Sequence, residues 1–397
     1  MRICIVSTYP PSQGGVSYYA KSLVDSLRRM WLEVFVLSER LEDIDKLLEE
    51  KNVFRCWNRG CFYPFQIFRK LLRINADCVH IQHEFFLYGG LISAAIFPFL
   101  LALAKLLRKP AIVTLHGVVK LSEVNRQFLD ENDVVRLVTL AKLSLSLVVR
   151  LIDKLSDIII VHENSLARIL ERQYGCPKNK IRVIPHGVEV GRRIIPKDQA
   201  KEKMGLSGNI IILFFGYFAR YKGIEKLIEA FGQLAKNHPD WVLVLAGGTH
   251  PRLRNNLSYE RYVLDLKRTA AKIAPNQIRF AGFVDENLLP VLICAADIMV
   301  FPYRLFISSS GPLCLAASYL KPVLVSNALQ QCVPDKDAIF DRLSAADLAN
   351  KLERLLASKD LMNKVGNLLG NLAATNSWDK VAKKTAEIYE QITIRGT

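Results

Sequence analysis

Short apolar runs alternate along this chain with longer stretches in which apolar positions recur every three or four residues. The runs predict strands over Arg2–Ser7, Glu33–Leu37, Cys78–Gln82, Ala111–Leu115, Ile158–His162 and Ile181–Ile184. The periodic stretches predict helices over Val16–Met30, Tyr63–Arg73, Leu91–Leu107, a long segment near Asn132–Leu155, and Ser165–Tyr174. Continuous apolar runs fit strands buried on both faces, and strand–helix alternation predicts a doubly wound parallel sheet. Residues 188–207 are charged, carry Pro196 and Gly205, and read as a linker with a short helix. The alternation restarts with strands over Ile210–Phe215, Trp241–Ala246, Ile278–Ala281, Ile298–Phe301 and Val323–Val325. From Ala345 to Ile392 the pattern is helical only. The expectation is an α/β protein of two Rossmann-like domains, 1–190 and 191–375, with a cleft between them and a last helix at about 376–397.

Two segments bear on membranes. MRICIVSTYP reads as a strand rather than a signal peptide, because its apolar run is short and ends at Pro10. Gly89–Leu107 approaches the roughly 20 residues of a bilayer span. Pro98, Lys105 and the strand that follows make it instead a crossover helix, buried or touching a membrane surface.

Length and composition agree with two globular domains. A chain of 397 residues exceeds one ordinary core, and half of it is hydrophobic. The formal charge is +16, with 26 Lys+Arg against 19 Asp+Glu in residues 1–190 and 28 against 19 in the rest. This spread suits phosphate-bearing small molecules or an anionic membrane surface. Nucleic acid ranks last, because zinc-finger spacing, RNP-like strands and arginine-rich tracts are all missing from the sequence. The eight cysteines form no CxxC pair and read as buried reduced thiols of a cytoplasmic protein, which disfavours metal binding by cysteine. His80 and His83 lie three apart on a strand, so they face opposite sides and do not chelate.

The most informative stretch is Ile210 to Phe231. A buried strand empties into a loop with Arg220, Lys222 and Gly223, and a helix follows with apolar residues at Ile224, Leu227, Ile228, Phe231 and Leu234. Ligands of open α/β sheets bind just past the carboxyl ends of strands, and fixed cations beside a helix N-terminus suit a diphosphate. A surface loop with solvated cations is the plainer alternative. Gly14 and Gly15 lie in the first βα loop, where a ligand can approach the backbone. The pattern is not GxGxxG, which disfavours a nicotinamide dinucleotide. His116, in Thr114-Leu-His-Gly117, ends a strand and either meets a ligand hydroxyl or is a satisfied structural histidine. His186, in Pro185-His-Gly-Val188, reads as an interdomain structural residue. Glu84 follows His83 at another strand end, to contact an acceptor or to balance local positive charge. In Ser308-Ser-Ser-Gly-Pro312, Ser310 or Gly311 caps a helix over Leu313–Tyr319 and Pro312 suits its first turn, which makes either a second anion site or an ordinary cap.

These residues resemble the family 4 retaining glycosyltransferases of the GT-B fold over nearly the whole length. The resemblance rests on the Gly14-Gly15 loop, TLHG at 114–117, IPHGV at 184–188 and FFGYFARYKGIEKLIEAF at 214–231. It extends through VLAGG at 244–248, RFAGFVDENLLPVLICAADIMVFPY at 279–303, SGPLCLAASYLKPVLVSN at 310–327 and Ser377-Trp378. It implies a nucleotide-diphosphate-sugar donor held mostly by the second domain, with Gly14 and Gly15 near the diphosphate and Lys222 paired with it. It further implies His116 beside the donor sugar, Gly216 and Ser308, Ser309, Ser310, Gly311, Pro312 and Leu313 around the donor, and a final helix that crosses back to the first domain. Catalysis falls to His116, Lys222 and Arg220, with no metal and no other cofactor, because cations occupy the metal's usual role.

Two departures stand out. Many members carry two glutamates eight positions apart, one for the sugar and one for the ribose; here Ile307 and Leu315 stand there, and the chain is similar to a branch with a serine-rich SxSG pattern. The arginine that often follows the loop glycine is Tyr217 here, and Arg220 comes three residues later. The implied activity is transfer of a sugar, with retention, to a hydroxyl of a glycan or lipid-linked acceptor, by a cytoplasmic protein at the inner face of the cell membrane. The missing glutamates keep two alternatives open, a non-catalytic binding paralogue and a nucleotide-sugar epimerase.

Overall fold

The computed structural model describes residues 1–41, 50–132, 134, 137–248, 256–285, 287–333 and 335–395. The chain forms two compact units. The first comprises Met1–Gly187, Ile307–Ser309 and Asn376–Thr397; the second comprises Val188–Phe306 and Ser310–Thr375.

The first unit opens with β1 (Arg2–Val6), α1 (Gly15–Arg29), β2 (Glu33–Glu39) and β3 (Val53–Trp57). It continues through α2 (Tyr63–Leu71), β4 (Cys78–His83), α3 (Leu91–Ala95), α4 (Phe97–Leu106) and β5 (Ala111–Leu115). Then come α5 (Arg126–Glu131), α6 (Val138–Leu155), β6 (Ile158–Val161), α7 (Asn164–Ile169) with a π-turn to Tyr174, and β7 (Ile181–Val183). All seven strands are parallel, in the order β3-β2-β1-β4-β5-β6-β7. The order reverses between β1 and β4, where ligands of such sheets bind.

The second unit contains α8 (Lys197–Lys203), β8 (Ile210–Phe215), α9 (Ile224–Leu234), β9 (Trp241–Ala246), α10 (Leu257–Ile273) and β10 (Ile278–Gly282). It continues with α11 (Leu289–Ala295), β11 (Ile298–Phe301), α12 (Gly311–Ser318), β12 (Val323–Ser326) and β13 (Ile339–Phe340). Two helices close it, α13 (Ala345–Ala357) and α14 (Lys359–Thr375). Its six strands are parallel in the order β10-β9-β8-β11-β12-β13, with the reversal between β8 and β11. The apolar stripe of α9 is buried at Ile224, Leu227, Ile228, Phe231 and Leu234, as its spacing requires.

The last helix, α15 (Trp378–Arg395), belongs to the first unit. Val381, Ala382, Ala386 and Tyr389 share a core with Ala20, Leu23, Val24 and Leu27 of α1. Full burial of a leucine- or valine-sized side chain contributes roughly 1.5–3 kcal/mol, so this seam holds α15 firmly.

Four elements differ from the pattern-based expectation. The apolar segment over Leu91–Leu107 is two helices rather than one, interrupted at Ile96 just before Pro98. Proline has no N–H to give and restricts the residue before it, so the second helix restarts there. No helix among the described residues is long and apolar enough to cross a membrane. The helix expected near Asn132–Leu155 begins at Val138; positions 133, 135 and 136 lie outside the described residues. Strands β3 and β13 lie at sheet edges and were not expected from the pattern.

Candidate active site

In the second unit the switch point lies between the ends of β8 and β11. Gly216 follows β8 with φ of 138°. A Cβ there would sit 2.6 Å from Lys222 Nζ and 3.5 Å from Pro312 Cγ. The Lys222 ammonium and the first turn of α12 therefore both lie against the bare glycine backbone. Lys222 ends a short 3₁₀ turn, Arg220–Lys222, and Gly223 closes it in the left-handed region at φ 65°. A Cβ on Gly223 would collide with the Pro302 carbonyl, so the basic loop is fixed against the segment that follows β11.

Lys222 is buried, with Nζ 5.6 Å from the Tyr303 ring centroid and 5.9 Å from that of Tyr221. Aromatic faces favour a cation, which helps hold this one out of bulk water. The Tyr303 hydroxyl lies 3.1 Å from Ser310 Oγ. Ser310 is the N-cap of α12 and accepts from the Leu313 amide at 3.3 Å. Burial pushes the Tyr303 phenol up from its usual range. Thus Gly216, Lys222, Ser310, Gly311, Pro312 and Leu313 come together as a buried cation beside a capped helix N-terminus, a combination suited to an anion. Arg220 is placed differently. Its guanidinium stacks 4.6 Å over the Tyr262 ring of α10, whose hydroxyl donates to Glu225 at 2.9 Å. Arg304 pairs with the same carboxylate.

In the first unit Gly14 caps α1 and Gly15 begins it. A Cβ added at either would meet nothing within 4 Å, so no neighbour crowds either glycine. Glu84 is exposed directly after β4.

His116 is buried in a cluster of histidines and aromatics. Its Nδ1 lies 3.2 Å from Nε2 of His162, and its Nε2 lies 2.9 Å from the Gln82 side chain. The Gln82 amide also lies 3.2 Å from Nε2 of His80, which reaches the Tyr389 hydroxyl at 2.6 Å and Thr114 at 2.7 Å. His162 donates from Nδ1 to the Ile184 carbonyl at 3.0 Å. His186 faces the Tyr19 and Trp378 rings at 5.2 and 5.5 Å, within the first unit. Burial lowers the pKa of all four rings, to about 3 for His80 and for His162. Sheet register explains part of the gathering: Gln82 and Thr114 are cross-strand partners on β4 and β5. His80 and His83 point to opposite faces, His80 toward Tyr389 and His83 against the Phe97 ring at 4.2 Å.

Ser308 and Ser309 group with the first unit, whereas Ser310–Leu313 group with the second. Ser308 pairs with Gly117 in an antiparallel bridge, and Val118 donates to the Ile307 carbonyl at 3.0 Å. The Ile307 side chain packs against the cluster of Val119, Val124 and Leu129. Leu315 of α12 packs against the core of the second unit. Both positions expected to carry glutamate in many relatives thus hold apolar side chains used in packing. Among the described residues no group of three or more His, Cys, Asp or Glu is placed to hold a metal ion. Sequence reasoning missed Tyr303, Tyr262, Gln82 and His162. The only available signal was polar or aromatic residues at the ends of buried strands.

Two parallel α/β units, each with its switch point at the carboxyl ends of its strands, define the GT-B fold. The family description Glycosyltransferase Family 4 matches residues 13–192, and Glycosyl transferases group 1 matches residues 209–358. The chain belongs to the family 4 glycosyltransferases of the GT-B fold. It is 26% identical over 252 residues to D-inositol 3-phosphate glycosyltransferase of Corynebacterium jeikeium, covering 60% of this chain and 58% of that protein. It is 22% identical over 262 residues to spore coat protein SA of Bacillus subtilis, covering 60% of this chain and 66% of that one. The matched region is thus less than two thirds of either relative's length. Among solved structures it is similar to HepE of Anabaena in complex with UDP and glucose, with a TM-score of 0.77 at 15% identity, covering 98% of this chain and 100% of that one. Sucrose-phosphate synthase of Thermosynechococcus elongatus gives 0.75 at 18% identity, covering 99% of each chain.

Proposed function

We propose that this protein is a glycosyltransferase that moves a hexosyl-type sugar, with retention, from a nucleotide-diphosphate-sugar donor to an acceptor hydroxyl. The observation that carries the reading is that the Lys222 ammonium and the first turn of α12 both lie against the bare backbone of Gly216. Departure of a nucleoside diphosphate builds negative charge, and preorganised donors aimed at that charge lower the barrier. Lys222 and the Gly311 amide, with the α12 dipole behind it, are such donors; Pro312 has no N–H and the Leu313 amide is held by Ser310. Gly14 and Gly15 are read as contacts to the diphosphate too; a Cβ on either would meet nothing within 4 Å. That HepE was crystallised with UDP and glucose supports a nucleotide-linked donor for this fold.

His116 is assigned to the sugar. Gln82 occupies its Nε2, and a sugar hydroxyl would take that place on the ring. In this reading the leaving phosphate accepts the acceptor's proton, so no dedicated base is required, and fixed cations make a divalent metal unnecessary. The acceptor is read as a glycan or lipid-linked hydroxyl, Glu84 as a contact to it, and the protein as cytoplasmic at the inner face of the membrane.

The test is release of nucleoside diphosphate from a panel of UDP-, GDP-, ADP- and dTDP-sugars, with and without chelator. Release from at least one donor, insensitive to chelator, is expected. Loss of activity in chelator, restored by a divalent ion, overturns the metal claim. The apolar packing of Ile307 and Leu315 favours one second reading, a binding paralogue without turnover. Tight nucleoside-diphosphate binding with no release from any donor would select it.

A further inference from the structure

Helices α2, α4 and α6 pack side by side in the first unit. The outward stripe of a surface helix in a soluble protein is normally polar. Here it is apolar on all three. Phe62 and Phe65 on the α2 segment, Phe99 on α4, and Leu140, Leu143 and Leu147 on α6 are between 42% and 70% exposed. The three leucines recur at helical spacing, so α6 turns a leucine edge outward while Val149 and Ile152 face the core. The Phe65 and Phe99 rings are 5.2 Å apart, which joins the α2 and α4 stripes into one patch.

Charge sets this patch apart from an ordinary sticky surface. Residues 51–76, 85–122 and 137–155 supply these helices and their adjoining loops. They carry six, four and three Lys or Arg against one acid, Asp153, which faces Lys180 at 3.9 Å, so twelve of the net +16 arise here. Arg69 and Arg73 are exposed at the end of α2, Lys105 and Arg108 at the end of α4, and Arg150 on α6. An apolar centre with a basic rim and a single acid, Asp153, matches the interface of an anionic bilayer. There apolar side chains enter the headgroup–acyl boundary and bases meet lipid phosphates. A second copy of this face is a poor occupant, because like charges would be juxtaposed with only one acid per copy to relieve them.

We infer that the outer face of α2, α4 and α6 docks the protein on an anionic lipid bilayer. The inference goes beyond the donor reading and uses the first unit alone, so it stands or falls separately from Lys222. Docking through this face would bring the first unit to membrane-borne acceptors.

The test is co-sedimentation of the full chain with vesicles of phosphatidylcholine alone and of equal parts phosphatidylcholine and phosphatidylglycerol. Binding to the anionic vesicles, at least about tenfold tighter than to neutral ones and weakened by salt, is expected. Combined Arg69→Gln, Arg73→Gln and Arg108→Gln should weaken it by about tenfold or more. Combined Phe65→Ser, Phe99→Ser and Leu143→Ser should do the same. All six positions are exposed, and unchanged thermal unfolding shows that each variant is folded. Three results would overturn the inference. One is wild-type binding to neither vesicle, including retention on polyglutamate without vesicle binding, which would assign the face to an acidic protein. Another is vesicle binding that neither set of substitutions weakens. The last is a concentration-dependent dimer in lipid-free solution that the Phe65, Phe99 and Leu143 set abolishes.

Discussion

Nε2 of His162 lies 3.2 Å from Nδ1 of His116, while Nδ1 of His162 faces the Ile184 carbonyl at 3.0 Å. A carbonyl only accepts, so the His162 proton sits on Nδ1. Burial keeps both rings neutral near pH 7, which leaves His162 Nε2 bare to accept from His116 Nδ1–H. Neutral His116 then has a bare Nε2; Gln82 Oε1 stands 2.9 Å from it, so satisfying it requires the amide to turn about and present its NH₂. Turned so, the amide presents its oxygen, in place of its nitrogen, to an N–H on His80 Nε2, and His80 Nδ1 accepts from Tyr389. One backbone carbonyl thus fixes the tautomer of three histidines in series.

Long-range proton–nitrogen NMR should find the His116 proton on Nδ1. In His162→Phe the acceptor is gone, and the other tautomer should appear. Transfer activity should fall about tenfold or more, with nucleoside-diphosphate affinity unchanged. An Nε2–H tautomer in the wild type would contradict the series.

Acid should destabilise this protein through the same cluster. His80 and His162 are lowered from 6.5 to about 3, and His83 to about 4. Below pH 6.5 the unfolded chain takes up protons that the folded one refuses. Their contribution is therefore fully present above pH 6.5 and is lost as pH falls toward 3–4. The slope approaches about 1.4 kcal/mol per pH unit for each histidine. Urea midpoints between pH 8 and pH 4 check this; a flat profile down to pH 5 would refute it.

Gly216→Ala and Gly223→Ala should separate binding from folding. Strain at positive φ costs roughly 1–3 kcal/mol at either site. At Gly216 the new methyl meets the mobile end of Lys222, so the fold should survive and nucleoside-diphosphate affinity fall by about tenfold. At Gly223 it meets the Pro302 backbone carbonyl, which cannot step aside, so the larger loss of stability belongs there. Thermal unfolding and calorimetric titration of both variants give the comparison.

Restoring the relatives' carboxylate should fail. Ile307→Glu would press a charge against Val119, Val124 and Leu129, at a cost of about 1–3 kcal/mol. A lower melting temperature with no gain in activity is expected. A clear rise in turnover would show that the position still serves the sugar.

Much of the sheet architecture was legible because buried parallel strands are apolar on both faces. Ile210–Phe215, Trp241–Ala246 and Ile298–Phe301 match the sequence reading to the residue. Edge strands escape that signal. Arg55 interrupts β3, and β13 is only Ile339–Phe340, flanked by acidic residues. Lys222 and the Ser310 cap could be found because loop and helix chemistry are local. Tyr303, Gln82 and His162 were invisible because strand register and side-chain packing, not chain neighbours, give each its partner. Arg220 shows the converse. Its position in the basic loop suggests phosphate, yet its guanidinium rests on Tyr262, a residue of a different helix.

Calorimetric titration of the nucleoside diphosphates into the wild type and Lys222→Ala tests the central claim most directly. The account predicts that at least one of UDP, GDP, ADP and dTDP binds the wild type. Removing the buried ammonium should then cost about 10- to 100-fold in affinity, the worth of a charge-assisted hydrogen bond. Equal affinity in the two proteins, with Lys222→Ala normally folded, would contradict it and leave Gly216 and α12 without the role given to them here.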